Sequence, residues 1–198
     1  GQSSFATGRY SIVIGSSTSS SAEGSISIGG YHDSSGIYSA AIGRGNTASG
    51  DYSTALGKDT ISSGDNSFVA GNGSIASGDN SFAFGLGNSA LSFGEVVFGL
   101  GSTPYTPVDA NSFASADRLF TIGSGDGVIS SDAFTILKNG QTGVHIDNFE
   151  ANSNGSVFQV GNGMTTIAYV DNGTGNWVAV SDARQKHNIE DLTYGLDE

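Results

Sequence analysis

The chain has 198 residues with 31 Gly, a similar number of Ser, 2 Pro and no Cys, and only 13 % of its residues are charged. Without Cys there is no disulfide framework, thiolate metal site or Cys nucleophile, and cysteine usage is silent on the redox compartment. The 7 Lys and Arg against 19 Asp and Glu leave a net charge of −12 at pH 7, which repels phosphates and anionic headgroups, so neither a nucleic-acid partner nor membrane insertion is expected.

The opening residues Gly1 to Ser11 carry no basic stretch followed by an apolar one, so no targeting signal is visible. No apolar run approaches the roughly 20 residues that cross a bilayer. From Ser11 the chain repeats. Ser11-Ile-Val-Ile-Gly15, Ser25-Ile-Ser-Ile-Gly29, Ser39-Ala-Ala-Ile-Gly43, Ser53-Thr-Ala-Leu-Gly57, Ser67-Phe-Val-Ala-Gly71, Ser81-Phe-Ala-Phe-Gly85 and Glu95-Val-Val-Phe-Gly99 follow one another at a constant step of 14 residues. A second mark lies three residues before each of these, at Gly8, Gly36, Gly50, Gly64 and Gly78, with Ala22 and Ser92 as departures, and Asp51, Asp65 and Asp79 follow it. Self-similarity at a short fixed period is the signature of a solenoid, whose coils cannot bury an apolar face alone.

Two glycine corners per unit predict two strands of about five residues in each coil of a parallel β-roll over residues 1–100. Side chains alternate along a strand. Ile12, Ile26, Phe68 and Phe82, with Ile14, Ile28, Ile42, Leu56, Phe84 and Phe98, share one side; Val13, Ala41, Ala55, Val69, Ala83 and Val97 share the other. A two-strand coil has a thin lumen, which suits the small set, so the large set needs cover from outside the coil. Other copies of this chain are the expected cover, with a neighbouring domain of the same chain as the alternative. The interface is then expected at Ile14, Ile28, Ile42, Leu56, Phe84 and Phe98, and a trimer is the simplest closed ring. The fold class read from these features is all-β: a homotrimeric parallel β-roll followed by a β-rich hairpin connector.

The motif S-x-A-[IF]-G, flanked by A-S-G and G-D-N over residues 8–100, resembles the head of trimeric autotransporter adhesins of the YadA-like type. That resemblance implies a left-handed parallel β-roll trimer. The same roll occurs in bacteriophage tail fibres, so the resemblance speaks for architecture more than for biology.

After Gly101 the period stops, and Pro104 and Pro107 in GSTPYTPVDANS mark residues 101–112 as a linker. Strand-like runs follow at Leu119–Ile122, Ala133–Leu137, Val144–Ile146, Val157–Val160, Thr166–Val170 and Trp177–Val180, so residues 113–180 are expected to form a β-rich connector. Asn139-Gly140, Asn154-Gly155, Asn162-Gly163 and Asn172-Gly173 read as hairpin turns, because both residue types tolerate positive φ. Leu119-Phe-Thr-Ile-Gly123 and Val157-Phe-Gln-Val-Gly161 look like the starts of two related units.

The run Ser181-Asp-Ala-Arg-Gln-Lys-His-Asn-Ile189 resembles the opening of the endosialidase-type intramolecular chaperone, the self-cleaving peptidase domain that ends phage tail fibres. By that resemblance residues 181–198 are the start of a removable trimerisation domain, with Ser181 as the cleavage nucleophile and Lys186 as its base, acting once per chain. The chain ends at Glu198, too soon for a whole domain of that kind. Without the resemblance, Ser181 reads as the N-cap of a polar helix start.

Other motifs carry structure before chemistry. Asp51, Asp65 and Asp79 recur at one corner of successive coils and are expected to solvate turns or cap backbone N–H groups, not to catalyse glycan hydrolysis. Asp171-Asn-Gly-Thr-Gly-Asn176 reads as a hairpin turn, His32, His145 and His187 show no zinc spacing and read as surface residues, and no metal or cofactor is assigned. Gly71-Asn-Gly73 and Gly85-Leu-Gly87 open no helix and read as coil corners. Tyr31, Tyr38, Tyr52 and Tyr105 are able to stack on sugars or to pad coil contacts, and no receptor-binding residue is assigned. The functional expectation is attachment to a host surface glycan or protein by an extracellular fibre of a phage tail or related injection machine, joined to other tail or baseplate proteins. The alternatives are a bacterial trimeric autotransporter adhesin head and a glycan-degrading tail spike. Apart from self-cleavage at Ser181, the chain is not expected to be an enzyme.

Overall fold

The computed structural model describes residues 3–147, 149, 158–163, 166–170 and 177–179. Ser181, Lys186, His187, Asn154-Gly155 and Asp171–Asn176 lie outside these residues.

Seven coils stack at the 14-residue step. Each contributes a long strand, at Ile12–Ser16, Ile26–Gly30, Ala40–Arg44, Thr54–Lys58, Phe68–Asn72, Phe82–Leu86 and Val96–Leu100. Opposite them lies a ladder of strands only two residues long: Phe5–Ala6, Ser19–Ser20, Asp33–Ser34, Thr47–Ala48, Ile61–Ser62, Ile75–Ala76 and Ser89–Ala90. The expectation of two five-residue strands per coil is therefore corrected for the second strand. The corners take the difference, with positive φ at Ser17, Tyr31, Gly45, Asp59, Gly73 and Gly87 on one corner and at Tyr10, Gly24, Tyr38, Tyr52, Asn66, Asn80 and Gly94 on another. All pairing within the roll is parallel and in register, Ile14 with Ile28, Ile42 and Leu56 in succession, then Ala70, Phe84 and Phe98.

The register also explains the invariant glycine of each long strand. Gly71 has φ of 140°, and a Cβ there would overlap the carbonyl oxygen of Gly85 in the next coil. Any side chain at this position pushes two coils apart.

Between the two ladders runs a lumen one side chain thick. Ala41, Ala48, Ala55, Val69, Ala76, Ala83, Ala90 and Val97 form its apolar core and are fully buried. In the first coils serine takes these places and forms its own chain: Ser20 Oγ donates to Ser27 Oγ at 2.9 Å and Ser27 Oγ to Ser34 Oγ at 2.8 Å. Ser34 in turn donates to the Ile26 carbonyl at 2.8 Å, so the hydroxyls are satisfied where methyls stand further along.

The long ladder does not stop at Leu100. Val96 pairs in parallel with Phe120 of the Arg118–Ser124 strand, which widens the 14-residue step by the connection that carries Pro104 and Pro107. Ser102 and Thr103 at the start of that connection are buried against the roll. Asp132–Leu137 and Thr142–Ile146 then add antiparallel strands around Asn139-Gly140, where Gly140 has φ of 86° and its N–H donates to the Leu137 carbonyl at 2.9 Å. Phe158–Gly163 pairs in parallel with Thr142–Ile146. Thr166–Val170 and Trp177–Ala179 complete the sheet with antiparallel pairs. The two related units are visible here: the Arg118–Ser124 and Phe158–Gly163 strands each join their predecessor in parallel, open an antiparallel run, and shift register at Gly123 and Gly161.

Candidate functional site

Strand alternation that sends the small side chains inward sends the large ones out. In a single chain the outer face of the long strands is open: Ile14 is 59 % exposed, Leu56 40 % and Phe98 42 %, while Ile28, Ile42 and Phe84 are half-buried by their neighbours along the column. The stacking repeat places aromatic rings in van der Waals contact. Phe68 and Phe84 lie 5.5 Å apart between centroids, Phe84 and Phe98 stack at 4.9 Å and 7°, and Phe98 approaches Phe120 at 6.0 Å. Phe120 reaches Phe134 at 6.4 Å, so the apolar column runs unbroken from the roll onto the antiparallel strands. An exposed apolar stripe of this length stands out on a chain of net charge −12.

The corner acids cap backbone. Asp51 accepts from the N–H of Ile37, Asp65 from Asp51 and Asp79 from Asp65, each at 2.9 Å, so the carboxylates tie each coil to the one before. On the neighbouring corner positions Tyr38 and Tyr52 are exposed and stack on each other at 5.7 Å and 13°, which makes them padding between coils. Tyr31 is exposed with Arg44 at 5.9 Å from its ring, and Tyr105 is half-buried.

A third column joins the coils from within. His32, Asn46, Thr60, Ser74, Asn88 and Ser102 recur at the 14-residue step and are all buried. Asn46 Oδ1 accepts from the Thr60 N–H at 3.0 Å, while its Nδ2 donates to the carbonyls of Ile42 at 2.8 Å and Gly57 at 2.9 Å. Asn88 repeats this with Ser102, Phe84 and Gly99. His32 stands in the same column, so it is not the surface histidine expected from its isolation in sequence. Its Nδ1 accepts from the Asn46 N–H at 3.1 Å, which places the proton on Nε2, 3.1 Å from the Ile28 carbonyl. His145 is exposed. Asn88→Ala removes the acceptor of the buried Ser102 N–H and the donors to the Phe84 and Gly99 carbonyls, so it is expected to destabilise the fold by about 2–4 kcal/mol, read from the denaturation midpoint.

At the end of the roll the repeat is broken by a polar cluster that seals the lumen. Glu95 occupies the place of the repeat serine and is fully buried; its Oε2 accepts from the N–H groups of Leu91 at 2.8 Å and Ser92 at 3.0 Å and from the Tyr105 hydroxyl at 3.2 Å. Arg118 lies over the Tyr105 ring at 4.3 Å, donates to the Thr103 carbonyl at 2.7 Å and pairs with Asp132 at 3.4 Å. Asp132 accepts from the Thr103 N–H at 2.8 Å and from its hydroxyl, and its own N–H donates to Asp147. Lys138 donates to Ser92 Oγ at 3.1 Å, which donates to the Arg118 carbonyl at 2.9 Å. Burial raises the carboxyl pKa of both Glu95 and Asp132, and burial lowers that of Lys138. Sequence reading passed over this cluster, although its signal is present: Glu95 is the one departure from Ser in the seven-fold column.

The raised value at Glu95 fixes the sign of a pH effect. A carboxyl whose folded pKa lies above its ordinary 4.5 costs stability at neutral pH, and that cost fades as pH falls through the folded value. Glu95→Gln is therefore expected to melt higher than wild type near neutral pH, with the gap closing by about pH 4.5 in paired thermal scans.

Among the described residues no group of three or more His, Asp or Glu is placed to hold a metal ion. Residues 6–31, 34–60 and 62–88 match the model of the YadA head domain repeat (2 copies). Over these segments the roll is similar to YadA head domain repeats. The matched segments end at residue 88, before the Val96–Leu100 strand and the polar cluster. No curated protein and no solved structure matches the chain.

Proposed function

We propose that this chain is the head of a trimeric adhesive fibre displayed outside the cell, of the trimeric autotransporter adhesin kind. The observation that carries the reading is the open apolar column on a roll of YadA head repeats: a surface from Ile14 to Phe98 that a single chain leaves in water and that three copies around one axis enclose. The interface is assigned to Ile14, Ile28, Ile42, Leu56, Phe84 and Phe98. The partners are then two further copies of the chain and a host surface glycan or protein, and no turnover is assigned, since the recurring carboxylates Asp51, Asp65 and Asp79 are spent on backbone N–H groups.

The family match reverses the order expected from sequence, placing the adhesin ahead of the phage tail fibre. One observation keeps the tail fibre as the second reading: the Ser181–Ile189 motif, with Ser181 and Lys186 as a single-turnover cleavage pair. Beads coated with the purified chain, tested for retention on glycan and matrix-protein surfaces against a Phe84→Asp control, test the adhesive reading. Retention above the control supports it, and equal retention on every surface overturns it. A full-length chain that cuts itself at Ser181, and fails to when Ser181→Ala is introduced, transfers the reading to the tail fibre.

A further inference from the structure

Asp117 and Lys138 flank the first antiparallel pair, where Arg118 is registered with Leu137, and the Lys138 N–H donates to the Asp117 carbonyl at 2.8 Å. Their side chains meet in the sealed end of the roll. Lys138 Nζ lies 4.0 Å from Asp117 Oδ2, and both side chains are 2 % exposed. The amine is poorly solvated by the protein: its one hydrogen-bond partner within 3.5 Å among the described residues is Ser92 Oγ. The carboxyl is held by two backbone donors, Val108 N–H on Oδ1 at 2.6 Å and Asp109 N–H on Oδ2 at 3.1 Å. Beside them Glu95 accepts from the Ser92 N–H, and its second oxygen, Oε1, is buried without a partner.

We propose that Lys138 and Asp117 condense into an intramolecular amide that staples the connection after the roll to the first antiparallel hairpin. In the water-excluded site the neutral amine attacks Asp117 Cγ and forms the Nζ–Cγ bond. The Val108 N–H on Oδ1 faces the charge that grows on that oxygen. The Cγ–Oδ2 bond then breaks, and Oδ2 departs as water with two of the three protons of the original ammonium. Nothing is oxidised or reduced and no co-reactant is consumed. Glu95, whose charge acts on Lys138 and whose Oε1 is buried without a hydrogen-bond partner, is the group that carries the proton from nitrogen to the leaving oxygen in this scheme. Burial favours both the uncharged amine and a protonated Glu95. The reaction removes a buried ion pair whose separation is too long for a direct hydrogen bond, replacing two desolvated charges by one amide.

The product differs from the ion pair in mass, so wild-type protein suffices for the test. Intact mass spectrometry of the denatured chain is expected to read one water below the sequence mass, with Lys138→Arg at its full sequence mass. In a tryptic digest the bond blocks cleavage after Lys138 but not after Arg118. The peptide ending at Arg118 then stays joined to the one that begins at Leu119 and runs through Lys138. A wild-type chain at its full sequence mass overturns the proposal, as does a water loss that maps to any other residues.

Discussion

Phe84→Asp is expected to leave the chain as a monomer at concentrations where wild type is fully assembled. Phe84 is the centre of the aromatic column, packed between Phe68 at 5.5 Å and Phe98 at 4.9 Å, and its exposed edge faces the surface assigned to the partner copies. Loss of the ring alone costs roughly 3–5 kcal/mol when a phenylalanine is enclosed on all sides. The carboxylate adds the penalty of a charge without a partner, and three copies bring three such charges towards one axis. Stability and assembly are inseparable here, because the lumen holds little beyond alanine and valine, so the variant is expected to lose its cooperative melt along with its trimer mass. A soluble Phe84→Asp trimer with a wild-type melting curve sinks the interface assignment.

Gly71→Ala is expected to be as damaging by a different route. The methyl group lands on the Gly85 carbonyl oxygen of the next coil. The backbone there has φ of 140°, a region an L side chain avoids at a cost of roughly 1–3 kcal/mol before any overlap is counted. Relief demands that the Phe68–Asn72 strand leave its register with Phe82–Leu86, and every later coil inherits the shift. Substitution of the exposed Gly73, whose Cβ position meets nothing within 4 Å, shares the positive φ of 63° but lacks the overlap. The two alanine variants therefore separate backbone strain from coil collision, and Gly73→Ala is expected to lose about 1 kcal/mol against several for Gly71→Ala in chemical denaturation.

What was legible in the sequence follows from what a repeat encodes. The alternation at Ile12-Val13-Ile14 and its six echoes contains the lumen, the outer face and the register, because each coil repeats the same local choice. The corner acids were readable for the same reason, as turn residues at a constant step. His32 was misread since its role depends on standing in line with Asn46 and Asn88, a column in which residue type varies while position does not. The short strands were overestimated because Gly and Ser corners mark where a coil turns but not how much of it pairs. At the end of the roll, Glu95 was visible as a departure from serine, yet the rest of its cluster, Tyr105 on Glu95 and the Arg118–Asp132 pair, arrives from a connection and a hairpin that no period aligns. Asn139-Gly140 was readable as a turn because the strands it joins pair antiparallel and Gly140 supplies the positive φ.

Molar mass by light scattering after size exclusion tests the central claim most directly, since the reading as a fibre head rests on self-association of a 20.0 kDa chain. The account predicts a single species at three times that mass, reduced to one third by Phe84→Asp. A folded wild-type species at 20.0 kDa would contradict it, for the column from Ile14 to Phe98 would then stand in water with no copy to cover it.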